Sequence, residues 1–514
     1  MDNMKKTILS IASALLLFGS WSCTNLDETI YSQLPAEGFF VDEESLLKNV
    51  GRAYAWLSSD SWSNGYLQHM GVWMNDIVTT DEAIIPYREG GLWWDDGVWI
   101  EDHQHSWDYT HDGVWRTYSF VMDGVTRCNQ ILYQIAEAGV EFNGSEKLVA
   151  EVKMVRAYLY LKGLDWFRNL PLVTDFTDTD LPSQVSPQTL FDFIEAEILG
   201  NVAYLEEAPT TANWGRVTQA ADWTMLAKLY INAEVWIGKA MYSEASAACD
   251  KVMAFSSLKL EDDYFTNFKV QNEGTSEIIW AIPLEANITN TFPLHNITLQ
   301  TLSQQTFNIR NFCWDGACGL EWLWDAYDAE DARRNSWLEG PQYDKAGNPL
   351  MVDPNRQLTY TPYVGPIYNQ ASPALLDSGV RMAKWEYEDG LMYQAMSNDF
   401  PIYRLADVYL LKTECLMRIN GGKADAAALD WANKVRRRAG AGEYDGTTLT
   451  LEELLDERAR ELCWEGHRRQ DQVRFGTYSQ PWDNKSNTDA YRDIYPIPQR
   501  AMTTNANLKQ NPGY

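Results

Sequence analysis

LVAEVKMVRAYLYLKGLDWFRNLP, residues 148–171, carries apolar side chains at Leu148, Val152, Val155, Leu159 and Trp166. Steps of three, four and seven residues return to one side of a helix, so the spacing predicts a helix with an apolar stripe on one face. It stops at Asn169-Leu170-Pro171, where proline has no N–H to continue the ladder. Working outward, Ser186-Pro187 reads as an N-cap followed by proline at the first helical position, and Phe191, Ile194, Ile198 and Leu205 continue the stripe. Leu226, Leu229, Tyr230, Ala233 and Ile237 repeat the pattern. So do Leu405, Val408, Leu411, Cys415 and Ile419, which end at Gly421-Gly422. Residues 424–439 finish with Arg436-Arg437-Arg438 before Gly440, read as cations complementing a helix C-terminus. Thr450-Leu451-Glu452-Glu453 reads as a capping box that opens another helix.

Paired helices separated by short Gly or Pro breaks predict a mainly α fold, a tetratricopeptide-like paired-helix scaffold of α-solenoid type, although no clean repeat of about 34 residues is present. Two stretches depart from the helical period. Residues 60–115 are rich in Gly, Asp and Trp, and residues 260–395 mix Pro, Asn and Tyr with short β-branched runs such as Ile278-Ile279-Trp280. The expected division is a signal peptide over 1–22 and one unit over 23–514. Its helical scaffold occupies about 23–259 and 396–514, and a loop-rich, ligand-binding insertion with short strands about 260–395.

The N-terminus reads as an export signal: Met4-Lys5-Lys6 is a basic start, and Ile8 to Phe18 an apolar run too short to span a bilayer. Cys23 follows at once and is the expected lipidation site; ordinary cleavage near Ser22 is the alternative. Acyl chains on Cys23 would hold the protein to a membrane, since each buried methylene contributes about 0.8 kcal/mol. Acidic residues number 72 against 42 basic ones, a net charge of −30, which repels phosphate backbones and makes nucleic acid a poor partner.

Aromatic residues make up 13% of the chain, with Trp at 22, and some are expected to face solvent. Trp93, Trp94 and Trp99 lie in a run of turn residues and carboxylates, with Asp76, Asp81 and Arg88 just upstream. Sugars offer C–H-rich faces and a rim of hydroxyls, so flat rings beside carboxylate, amide and guanidinium groups suit them. Each tryptophan equally admits a packing role. Trp314 lies between Cys313 and Cys318, which read either as a disulfide clamping an Asp-Gly turn or as two thiols, and Arg381, Lys384 and Tyr393 are candidates to close the site. Cys128, Cys249, Cys415 and Cys463 read as core residues. His103, His105 and His111 sit near Asp102, Asp108 and Asp112, a weak metal pattern; no metal ligand is assigned and no cofactor is expected beyond a structural Ca²⁺ that acidic clusters leave open. No nucleophile elbow, zinc-protease or phosphate-loop motif is present, which favours binding over catalysis.

The chain resembles the SusD/RagB family. The resemblance is carried by Thr80-Asp81-Glu82, 86–97, His103-Gln104-His105-Ser106-Trp107, Arg156-Ala157-Tyr158-Leu159-Tyr160 with Pro171-Leu172-Val173, and Gly215-Arg216-Val217. It continues in 401–408, Glu457-Arg458, Glu465-Gly466-His467-Arg468, Tyr495-Pro496-Ile497-Pro498 and Asn511-Pro512-Gly513-Tyr514. It implies a non-catalytic glycan-binding lipoprotein, lipid-anchored and exposed on the cell surface at the outer membrane, with the acidic Leu26-Asp27-Glu28 similar to a surface-export signal. It implies too a SusC-type TonB-dependent barrel as transport partner and a glycan site near Trp94, Trp99, Trp314 and Arg381. A helical-barrel glycoside hydrolase and a helical scaffold for protein partners are the competing expectations.

Overall fold

The structure, a computed structural model, describes residues 43–58, 65–139, 144–365 and 373–514. The expected signal peptide, Cys23 and Leu26-Asp27-Glu28 lie outside the described residues. Long helices dominate: α1 (Glu43–Leu57), α2 (Asp112–Ala138), α3 (Ser145–Phe167), α4 (Pro187–Asn201), α5 (Gln219–Ile231), α6 (Tyr242–Met253), α7 (Leu405–Ile419), α8 (Ala426–Ala439) and α9 (Leu451–Leu462). They stack in order: α2 on α3, α3 on α4, α5 on α6, α6 on α7 and α7 on α8. The contact of α6 with α7 crosses the whole of residues 254–404, which leave the stack and return to it. Two antiparallel strands, β1 (Ile278–Ile282) and β2 (Phe400–Arg404), join the two ends of that excursion, with Ile278 opposite Arg404 and Ile282 opposite Phe400.

The expected start of α4 is present: Ser186 Oγ accepts the Thr189 N–H at 3.1 Å with Pro187 in the first turn. Around α3 the structure departs from a one-sided stripe. Nearly every side chain from Leu148 to Phe167 is buried, including Glu151, Arg156, Lys162 and Asp165. A central helix needs partners for such charges, and it has them: Arg216 on Glu151 at 2.6 Å, Glu197 on Arg156 at 2.7 Å and Asp76 on Lys162 at 2.9 Å. Gly163 lets α2 come close, because a Cβ there would meet Leu170 Cδ1 at 2.4 Å and Val121 Cγ1 at 3.0 Å.

Tryptophan is mainly core material here. Trp73, Trp99, Trp107, Trp166, Trp280, Trp385 and Trp464 are fully buried. Apart from that of Trp385, their indole N–H groups find partners, as Trp73 Nε1 donates to the Trp464 carbonyl at 2.7 Å and Trp166 Nε1 to Asp76 Oδ1 at 2.9 Å.

Two readings of the C-terminal region need correction. Arg436 and Arg438 do more than complement a helix end: they reach buried Glu457 at 2.9 Å and buried Glu461 at 2.5 Å, while Arg437 stays exposed beside Glu443. The capping box is half made, since Thr450 Oγ1 accepts the Glu453 N–H at 3.1 Å but the Glu453 carboxylate is held by Arg460 and Tyr444 instead. Together these groups form a buried lattice. Arg404 sits between Glu277 at 2.6 Å, Glu461 at 3.0 Å and Glu465 at 2.6 Å; Arg333 binds Asp331 at 2.7 Å and Glu457 at 2.8 Å; Lys384 binds Glu465 at 2.6 Å. Asp331, Arg333 and Lys384 come from the excursion and Glu457, Glu461 and Glu465 from the C-terminal region, so the lattice bolts one to the other. Although burial opposes ionisation of Glu457, Arg333, Arg460 and Arg436 hold its carboxyl well below the usual range.

Glu82 behaves in the opposite sense. Its Oε2 accepts the Trp464 N–H at 3.1 Å, and burial pushes its carboxyl from the usual 4.5 up to about 8. A folded-state pKa above the unfolded one makes its contribution complete at low pH and diminishing as pH rises through about 8. Glu82→Gln keeps an oxygen for the Trp464 N–H and removes this loss. It is expected to melt about 3 °C above the unsubstituted protein near pH 8.5 and level with it near pH 4.5; an equal difference at both pH values refutes the assignment.

Candidate functional site

Residues 89–99 bend sharply. The backbone is left-handed at Gly90, Gly91, Trp93 (φ 60°), Asp95 (φ 38°), Asp96 (φ 56°) and Gly97. For the non-glycine residues this conformation costs roughly 1–2 kcal/mol each and persists only where surrounding contacts impose it. Those contacts are present. Trp93 Nε1 donates to the Trp314 carbonyl at 2.7 Å, Trp99 Nε1 to Asp95 Oδ2 at 2.8 Å, and Gly97 N to the Trp94 carbonyl at 2.6 Å. The Trp93 ring lies 5.8 Å from that of Trp99 and 6.3 Å from that of Trp314, and Trp94 meets Tyr87 edge to face at 5.7 Å.

Trp314 belongs to a turn fixed on the short helix Leu294–Thr298. Trp314 N donates to the Asn296 carbonyl at 2.6 Å, and Gly316 N to that of Ile297 at 2.8 Å. Gly316 is required, because a Cβ there would stand 2.4 Å from the Trp93 ring. Asn296 Nδ2 donates to Asn311 Oδ1 at 2.6 Å, and Asn311 Nδ2 to the Met392 carbonyl at 3.2 Å, so a hydrogen-bond chain leads to Tyr393. The His69 ring stands 5.6 Å from Trp314. Burial, with the Arg116 charge, lowers the His69 pKa, which keeps a neutral imidazole at pH 7.

The rings of this region that lie at or near the surface make up a candidate shelf. Trp94 is 37% exposed, Tyr393 42% and Phe312 61%, while Trp93 and Trp314 are half-buried. Among the described residues Trp94 is the most exposed tryptophan. Side-chain amides, an imidazole and the carboxylates of Asp95 and Asp96 accompany the rings. Such a surface stacks on an apolar ring face and exchanges hydrogen bonds with hydroxyls around its edge.

Several candidates support this shelf from below. Trp99 is buried. Arg88 is wholly buried and donates to the carbonyls of Gly316 at 2.9 Å, Leu375 at 2.9 Å and Ser378 at 3.1 Å. Arg381 is also wholly buried, with Nη2 on Asp315 Oδ1 at 2.8 Å and its guanidinium 4.7 Å from the Tyr360 ring. Both arginines brace the turn that carries Trp314, and their burial keeps both guanidinium groups from solvent. Asp81 has both carboxylate oxygens engaged by Arg468 at 2.7 Å. Lys384 belongs to the buried lattice.

Cys313 and Cys318 are free, buried thiols, and no disulfide clamps the turn. Cys318 instead pairs through its backbone with Ile84, its N–H donating to the Ile84 carbonyl at 2.9 Å, so backbone pairing gives the rigidity the disulfide reading assigned to sulfur. Cys249 and Cys415 lie in hydrogen-bond contact with each other, where α6 packs on α7. His103 and His105 spend ring nitrogens on the carbonyls of Asp483 at 2.8 Å and Thr79 at 2.7 Å. Among the described residues no group of three or more His, Cys, Asp or Glu side chains is placed to hold a metal ion. No described helix is long and apolar enough to cross a membrane.

His69, Asn311 and Phe312 stand beside these rings, and sequence reasoning does not single them out. Phe312, next to Cys313 in a polar stretch, gave a weak signal; His69 gave none, because it arrives by tertiary packing.

The comparisons agree with one another. Residues 325–514 match the model of the SusD family. The starch-binding protein SusD of Bacteroides thetaiotaomicron is 28% identical over 418 residues, covering 71% of this chain and 72% of that protein. A SusD-like protein of Bacteroides ovatus is 25% identical over 491 residues, covering 90% of this chain and 81% of its own. Among solved structures, surface glycan-binding protein A of Bacteroides thetaiotaomicron in complex with laminarihexaose superposes with a TM-score of 0.74 at 18% identity, over 91% of this chain and 99% of that one. By its C-terminal match and its relatives along most of its length the chain is similar to the SusD family, and its helical scaffold is the fold of the surface glycan-binding protein it superposes on.

Proposed function

We propose that the protein captures neutral oligo- or polysaccharide at the cell surface and passes it, uncleaved, to a SusC-type TonB-dependent barrel in the outer membrane. Anchorage through acylated Cys23 belongs to the same reading. The observation that carries it is the shelf of exposed Trp94, Phe312 and Tyr393 with half-buried Trp314, flanked by the left-handed residues Trp93, Asp95, Asp96 and Asp315, while most other tryptophans are packed away. A relative named for starch and a structural neighbour solved with laminarihexaose make glucans the first class to test. The net charge of −30 disfavours sulfated or uronate-rich chains.

Native affinity electrophoresis against amylopectin, laminarin and a sulfated galactan tests this. Retardation by at least one neutral glucan is expected, with none by the sulfated polymer and no release of reducing ends on prolonged incubation. Free migration in every gel, or reducing ends that accumulate in proportion to protein, overturns it.

A further inference from the structure

The loop of residues 482–487 stands between two open depressions, of about 430 Å³ and about 420 Å³, which share Asn484. Gln104, Ser106 and Asn487 line the first; Glu321 and Tyr363 line the second. We propose that these depressions form a second carbohydrate subsite, which takes a further stretch of the same neutral glycan that the tryptophan shelf holds. The inference rests on the glycan reading above and adds a second place of contact.

The loop is built to be stiff. Lys485 is buried, its Nζ donates to the carbonyls of Tyr478 at 3.2 Å, Gln480 at 2.7 Å and Asn487 at 2.8 Å, and it lies 3.9 Å from the Trp482 ring centre. The Asp483 carbonyl is bound to His103 Nε2 at 2.8 Å, and Asn487 Nδ2 donates to the His105 carbonyl at 2.8 Å. Asn484 holds a φ of 64°, an arrangement that such anchoring sustains. A wall tied down on both sides loses little freedom when a ligand arrives.

The lining defines the ligand class. Lys485 spends its charge on backbone carbonyls, which leaves amides, hydroxyls and the carboxylates of Glu321 and Asp483 facing the depressions. Tyr363, 64% exposed, supplies a ring face. Among the described lining residues the one cation is Lys485, already spent on carbonyls, so anions would meet acidic groups, whereas sugar hydroxyls find both donors and acceptors. The position follows from one short helix, Val98–Gln104, which carries Trp99 of the indole cluster in its first turn and Gln104 of the first depression at its end. At 1.5 Å per residue the two lie about 7.5 Å apart along the axis, within the span of a short oligosaccharide.

The test uses the mature chain with laminarin or amylopectin, whichever retards the unsubstituted protein, and the matching trisaccharide. Tyr363→Ala with Gln104→Ala is expected to weaken polymer binding about fivefold, the worth of a lost ring contact, and to leave trisaccharide affinity unchanged. The two single variants are each expected to show part of the loss, and thermal melting confirms that each is folded. Unchanged polymer affinity in the double variant, while Trp314→Ala still loses binding, removes the second subsite and leaves the shelf standing. A wild-type protein that binds neither polymer overturns the glycan reading and this inference with it.

Discussion

Arg404→Ala is expected to cost about 3–5 kcal/mol of folding stability, a large share of the 5–15 kcal/mol typical of a domain. Arg404 is wholly buried between Glu277, Glu461 and Glu465, and its removal leaves three carboxylates short of positive charge in a site water does not reach. Arg404→Lys is expected to recover only part of the loss, because a single ammonium cannot reproduce the two parallel contacts with Glu465 at 2.7 and 2.6 Å. Arginines hold Glu461 and Glu465 below the usual carboxylate range although burial opposes it. A depressed folded-state pKa stabilises above the unfolded value near 4.5 and fades as pH falls through the folded one. The variant is therefore expected to unfold at higher pH on acid titration than the unsubstituted protein. Denaturant melts at neutral pH, followed by circular dichroism, measure the first effect, and an unchanged midpoint contradicts it.

Trp94→Ala and Trp314→Ala are each expected to weaken glycan binding by more than about 1 kcal/mol, at least fivefold, and together to remove detectable retardation. Neither change is expected to disturb the fold. Trp93 hangs on the backbone carbonyl of Trp314, which alanine retains, and Trp94 contributes edge contact with Tyr87 from an exposed position. Calorimetric titration with thermal melting separates the two quantities. Lost affinity with an unchanged melting temperature supports the shelf, and full affinity in both variants moves the site elsewhere.

Helices were readable because burial imposes a period: the Leu148–Trp166 spacing, Ser186-Pro187 and Gly440 each mark what the backbone does there. How much of a helix is covered was not readable. In α3 the charges at Glu151, Arg156, Lys162 and Asp165 look solvated in one dimension and are paired in the core in three. The same blindness explains Arg88 and Arg381, which have the composition of a binding edge and serve as internal braces, since only tertiary packing shows that their acceptors are carbonyls of the 375–379 turn. Trp93, Trp94 and Trp99 read as one cluster because turn residues and carboxylates surround them, and Trp314 as a ring on a turn of its own; the family resemblance, not spacing, is what puts Trp94 and Trp314 at one site. His69 and the 482–487 loop had no such marker.

Glycan capture on the indole shelf is tested most directly by a crystal structure with a bound glucan oligosaccharide. The account predicts a sugar ring lying against the indole of Trp94 or Trp314, with its hydroxyls reaching the amides and carboxylates beside them. An oligosaccharide seated elsewhere, with both indoles bare, would contradict it.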